Sequence, residues 1–125
     1  MRTPTEVAQS LIHAVVHADM ELAGELYDED ARLWQNLSGK ESDRAQALKT
    51  IAWLTRTIQN LAYEDVRITP TANGFVQQHT MTGQGPGGDV RIPAVMVATV
   101  VEGKLTRVDE YMDSAHLRAL QAPKN

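Results

Sequence analysis

An extended segment near the C-terminal end, Thr106-Arg107-Val108-Asp109-Glu110-Tyr111-Met112-Asp113, carries the strongest chemical signal in the sequence. Strand alternation splits it into two unlike faces. Val108, Glu110 and Met112 share one side, and Arg107, Asp109, Tyr111 and Asp113 share the other. With Val108 and Met112 turned inward, Glu110 is a carboxylate among apolar neighbours, where lost hydration raises its pKa and makes it an acid or base usable near neutrality. The plainer alternatives are a carboxylate that reaches a backbone amide, or a register that buries the opposite face.

A second stretch, Phe75-Val76-Gln77-Gln78-His79-Thr80-Met81-Thr82, repeats the arrangement. Phe75, Gln77, His79 and Met81 lie on one side, so a group able to relay a proton sits two residues from an amide able to orient an oxygen. The competing reading is a histidine hydrogen-bonded in an ordinary core. In Leu33-Trp34-Gln35-Asn36-Leu37, alternation pairs Trp34 with Asn36, a flat apolar wall beside an amide. Equally, Trp34 is core and Asn36 a turn residue. His13 and His17 are spaced to share one helix face, but no third ligand accompanies them, and a solvated face explains them. No metal site is expected. The run Gly83 to Gly88 lacks the Lys-Ser/Thr and helix of a phosphate loop and reads as a hairpin turn.

Helices come first among the elements that must position these groups. Thr3-Pro4-Thr5-Glu6 is a capping box with proline at the first helical position, opening a helix to about Ala18. Asp19 caps a short helix over 20–27, and Asp28-Glu29-Asp30 reads as a turn before a strand over 31–36. Ser42 is the expected cap of a longer helix over 43–58. Strands then follow: one around Val66 and Ile68, ending at the Asn73-Gly74 turn, and three more over 75–82, 90–101 and 104–113. A short helix is expected over 114–121. Pro93 conflicts with a central strand, and a bulge or strand start is expected there. Helices followed by an antiparallel meander indicate an α+β fold.

Composition narrows the chemistry. The 125 residues suit one domain spanning 1–125. Cysteine is absent, which excludes thiolate metal sites, iron-sulfur clusters and cysteine nucleophiles. The net charge of -4 removes most of the electrostatic motive for a nucleic-acid or acidic-membrane partner. A polar N-terminus leading into a helix reads as neither signal nor transit peptide, so a cytoplasmic location is expected.

The order helix, helix, strand bearing Trp34-Gln35-Asn36, long helix, then meander ending in Asp109-Glu110-Tyr111-Met112-Asp113 resembles the SnoaL-like branch of the nuclear transport factor 2-like superfamily. The resemblance runs from about Val7 to Leu120. It implies a cone-shaped α+β barrel, a curved mixed or antiparallel sheet wrapped around three helices and enclosing one deep pocket. It also implies that Glu110 stands where polyketide cyclases of this family keep a general acid/base, usually Asp. Gln77-Gln78-His79 is similar to the family's Gln-x-His strand, whose side chains contact substrate, and Trp34-Gln35-Asn36 to its aromatic-x-Asn strand. Two departures count against other branches. Gln77 and His79 stand where related epoxide hydrolases need a second carboxylate, and the first tyrosine is Tyr27, past the first helix on which related steroid isomerases need one.

The expected function is therefore cofactor-free acid/base chemistry of cyclase or isomerase type on a small apolar carbonyl compound. Glu110 and His79 are the catalytic candidates, and Trp34, Asn36, Gln77, Met81, Val108 and Met112 the substrate-binding ones. The alternatives are a non-catalytic module that binds a hydrophobic ligand, or epoxide hydrolysis. Ile92 to Val101 is apolar at nearly every position, which predicts burial on both faces; one small barrel covers only the concave side, so a homodimer through the sheet is expected to cover the other.

Overall fold

The computed structural model describes residues 1–123. Lys124 and Asn125, the end of the expected domain, lie outside the described residues. Helix α1 spans Pro4–Val16, and both halves of its capping box are formed: Glu6 N–H donates to Thr3 Oγ1 at 3.2 Å and Thr3 N–H to Glu6 Oε1 at 2.9 Å. Its inner stripe, Val7, Ala8, Leu11, Ala14 and Val15, is buried. Helix α2, Met20–Leu26, is capped by Asp19. Tyr27 then begins β1, Tyr27–Gln35, which is followed by a three-residue strand, β2, Glu41–Asp43.

Helix α3 spans Arg44–Thr57, and its cap is Asp43, not Ser42: the Asp43 carboxylate accepts from Gln46 N–H at 2.9 Å. Ser42 is instead drawn into β2 opposite Leu33. The meander comprises β3 (Gln59–Thr71), β4 (Gly74–Gly85), β5 (Gly88–Val101) and β6 (Lys104–Met112). A 3-10 helix over Ser114–Leu120, capped by Asp113, follows.

The strands form one mixed sheet in the order β2-β1-β6-β5-β4-β3. Only β1 and β6 run parallel. The fold is the expected α+β arrangement, but the sheet is open, with β2 and β3 at its edges, and does not close into a barrel. No helix among the described residues is long and apolar enough to cross a membrane.

Two further expectations are corrected. Asp28-Glu29-Asp30 is no turn: it lies within β1 where the pairing slips, five residues from Tyr27 to Arg32 facing the two-residue step from Leu105 to Arg107. The bulge satisfies the same local chemistry as a turn, with Asp30 N–H donating to its neighbour Asp28 at 3.0 Å. Pro93 causes no bulge either, since the β4–β5 ladder runs in unbroken register through Thr80↔Pro93. The β5–β6 pairing stops at Ala94↔Met112, so at Pro93 the strand has one ladder neighbour, and a missing N–H is tolerated on the free side. Within the chain, β5 is buried on one face. Val90, Ile92, Ala94, Met96 and Ala98 are buried while Arg91, Pro93 and Val97 are exposed, because one layer of helices covers one side of a sheet.

Candidate active site

The register places the inward side chains of four strands in rows. His79 lies opposite Ala94, Met81 opposite Ile92, Met96 opposite Glu110, and Val108 opposite Ala98. Across the parallel pair, Leu33 matches Val108 and Gln35 matches Glu110. Leu11 and Val15 of α1 and Ala47, Ile51 and Leu54 of α3 face this inner surface. Between helices and sheet they leave a cavity of about 240 Å³. It is not sealed, for Trp53 and Leu37, both 40% exposed, stand among its lining residues.

Glu110 is the one carboxylate among the described lining residues, and neither Lys nor Arg is among them. Glu110 is half-buried, and desolvation by the apolar walls pushes its carboxyl up from 4.5 to about 7, against the opposing pull of Gln35. Gln35 Nε2 donates to Glu110 Oε1 at 3.4 Å. His79 is 5% exposed, and burial holds its pKa down from 6.5 to about 4, so the imidazole is neutral at pH 7. Its ring stacks on that of Tyr63, centroids 4.5 Å apart, and the Gln77 amide nitrogen lies 2.9 Å from its Nδ1. Tyr27 and Tyr63 also line the cavity. Burial, and secondarily the nearby Glu110, raises both phenols above their ordinary value, leaving them neutral hydroxyls.

The sequence-derived candidates divide into two groups. Glu110, His79, Met81, Val108 and Met112 converge on the cavity. Gln77 is buried behind His79 and is not among the lining residues. Trp34 contributes to the lining, yet it pairs with Asp109 and sets its ring edge-on to Tyr111, centroids 5.3 Å apart, on the outer side of the sheet. Asn36 acts on backbone: its amide donates to Met112 O and accepts from Met112 N–H, both at 3.0 Å, extending the β1–β6 pairing beyond Gln35. Ser42, Gln46, Thr50, Gln35, Tyr27 and Tyr63 are the polar lining residues that alternation did not single out. Alternation from Leu61 through Tyr63 could have found the last of them, since Tyr63 lies opposite Met81.

The family model of the SnoaL-like domain matches residues 8–108, from α1 to the middle of β6. The chain belongs to the SnoaL-like family. Among solved structures, this SnoaL-like chain is similar to a candidate polyketide cyclase from Pseudomonas putida KT2440, with TM-score 0.81 and 21% identity over 98% of this chain and 100% of that one. It is similar to a protein of ketosteroid isomerase-like fold from Catenulispora acidiphila, solved with trimethylamine, with TM-score 0.79 and 16% identity over 97% and 96% of the two chains. A candidate isomerase from Bacillus subtilis gives 0.80 and 17% over 97% and 96%. At such identities the likeness establishes the fold of the SnoaL-like chain, nuclear transport factor 2-like and α+β. No curated protein matches the sequence.

Proposed function

We propose that this SnoaL-like protein is a cofactor-independent enzyme that moves a proton on a small, largely apolar carbonyl compound, in an isomerase- or cyclase-type reaction. The observation that carries this reading is Glu110, a lone carboxylate in an apolar cavity whose pKa of about 7 lets it both take and return a proton at neutral pH. Glu110 accepts the proton from carbon next to the carbonyl. His79 faces the same space, where a neutral imidazole stabilises charge that develops on the substrate oxygen. The absence of Lys and Arg from the described lining favours an uncharged substrate over an anion. Epoxide hydrolysis by paired carboxylates bridged through an arginine finds neither a second carboxylate nor an arginine there.

The test is hydrogen-deuterium exchange at carbon in a panel of small cyclic ketones and diketones in heavy water, followed by proton NMR. Glu110→Gln keeps the shape and removes the base, so the exchange rate falls roughly 10²- to 10⁴-fold. No exchange across the panel, or exchange equal in the variant, overturns the reading. We further propose that two copies meet through the outer face of the sheet, where Pro93, Val97 and Tyr111 are exposed side by side with half-buried Val95.

A further inference from the structure

Behind the cavity wall sits a polar group with no place in the reaction described so far. Gln77 is 1% exposed and does not line the cavity, yet its amide meets Nδ1 of His79 at 2.9 Å. Its Oε1 is buried without a hydrogen-bond partner. Such an orphan is a standing cost, so this amide is held where it is for its contact with the ring.

Two arrangements satisfy the contact. With the amide nitrogen donating, Nδ1 is a bare acceptor and the ring proton sits on Nε2. With the amide reversed, Oε1 accepts from Nδ1–H and Nε2 is bare. The amide nitrogen stands 2.9 Å from Nδ1 with Oε1 turned away from the ring, which is the first arrangement. The ring is also fixed in place by its stack on Tyr63, at an interplanar angle of 29°.

We infer that Gln77 is a positioning residue that holds His79 as the Nε2–H tautomer, making the nitrogen at the ring tip a hydrogen-bond donor and not a base. The same contact opposes protonation, since an imidazolium would point Nδ1–H at the amide N–H. It acts in the same direction as burial, which holds the ring's pKa down to about 4. The other titratable groups lining the cavity are Glu110, Tyr27 and Tyr63. In the reaction proposed above, on which this part of the inference rests, the labour is divided: the proton passes from substrate carbon to Glu110 and back, while His79 keeps its own and donates to oxygen.

The tautomer is read directly from long-range 1H–15N correlation spectra of the 15N-labelled protein at pH 7. The His79→Gln variant identifies the signals of that ring among His13, His17, His79 and His116. Wild type should show a bare Nδ1 and a protonated Nε2. Gln77→Met, similar in length but without a donor, should lower the tautomer ratio roughly five- to tenfold, the factor one ordinary hydrogen bond represents. Gln77→Glu should reverse it to Nδ1–H and raise the pKa of the ring. A wild-type Nδ1–H spectrum, or a tautomer unchanged in both variants, overturns the inference; should a variant fail to fold, the wild-type spectrum alone decides. An Nδ1–H spectrum alongside Glu110-dependent exchange refutes the tautomer only. An Nε2–H spectrum without that exchange refutes the reaction only.

Discussion

Burial reverses the usual order of acidity between the two groups facing the cavity, placing the Glu110 carboxyl at about 7 and the His79 imidazolium at about 4. The two shifts act oppositely on stability. Between 4.5 and about 7 the folded chain binds more protons at Glu110 than the unfolded chain does, so stability contributed there is lost as pH rises. Between about 4 and 6.5 the folded chain binds fewer at His79, so stability is gained as pH rises. Over the shared interval the slopes oppose each other, and the urea midpoint of the wild type should vary little. Glu110→Gln should expose the His79 slope, with a midpoint that climbs from pH 4 to 6.5; a variant as flat as the wild type would contradict these environments. At this scale the sequence was partly legible. Glu110, His79, Met81, Val108 and Met112 follow from alternation within a strand, but Gln35 depends on the register between β1 and β6, which no single segment encodes. The same register turns Trp34 toward Tyr111, against the expectation that the larger apolar group faces inward.

The long β4–β5 ladder positions His79, and its tightest point is Gly74, whose missing side chain makes room for a neighbouring carbonyl. A Cβ at this position would stand 1.9 Å from Ala98 O, a backbone atom unable to move aside. Gly74→Ala should therefore destabilise the chain by roughly 1–3 kcal/mol, as other overpacked sites do, measurable by urea denaturation. Two helix caps were legible because capping is local chemistry, as the Thr3 box and Asp19 show, whereas at α3 the neighbouring Ser42 and Asp43 both suit the role and pairing of Ser42 with β1 leaves it to Asp43. The acidic bulge in β1 was not, since Asp28-Glu29-Asp30 has turn composition whether or not the strand continues through it. Nor was β2, three residues long and held by pairing with β1 alone.

Across the whole molecule, the helices cover one face of the sheet and leave the other to solvent. Outward Arg32, Glu41, Arg107 and Asp109 link β2, β1 and β6 by ion pairs, which in water contribute little. Next to them lie Val97 and Tyr111, 41% and 44% exposed. If this face joins two copies, light scattering at micromolar concentration should give twice the 13.8 kDa chain mass, and Val97→Glu should return it to one. A wild-type monomer would contradict the proposed contact.

Both indoles line the cavity, Trp53 partly in water and Trp34 packed edge-on against Tyr111 toward the outer face. The chain thus carries a built-in pair of fluorophores with overlapping duties. A compound entering the cavity changes the polarity around both, while a second copy on the sheet changes it around Trp34. A version that keeps only Trp53 would therefore follow occupancy by emission without reporting on assembly.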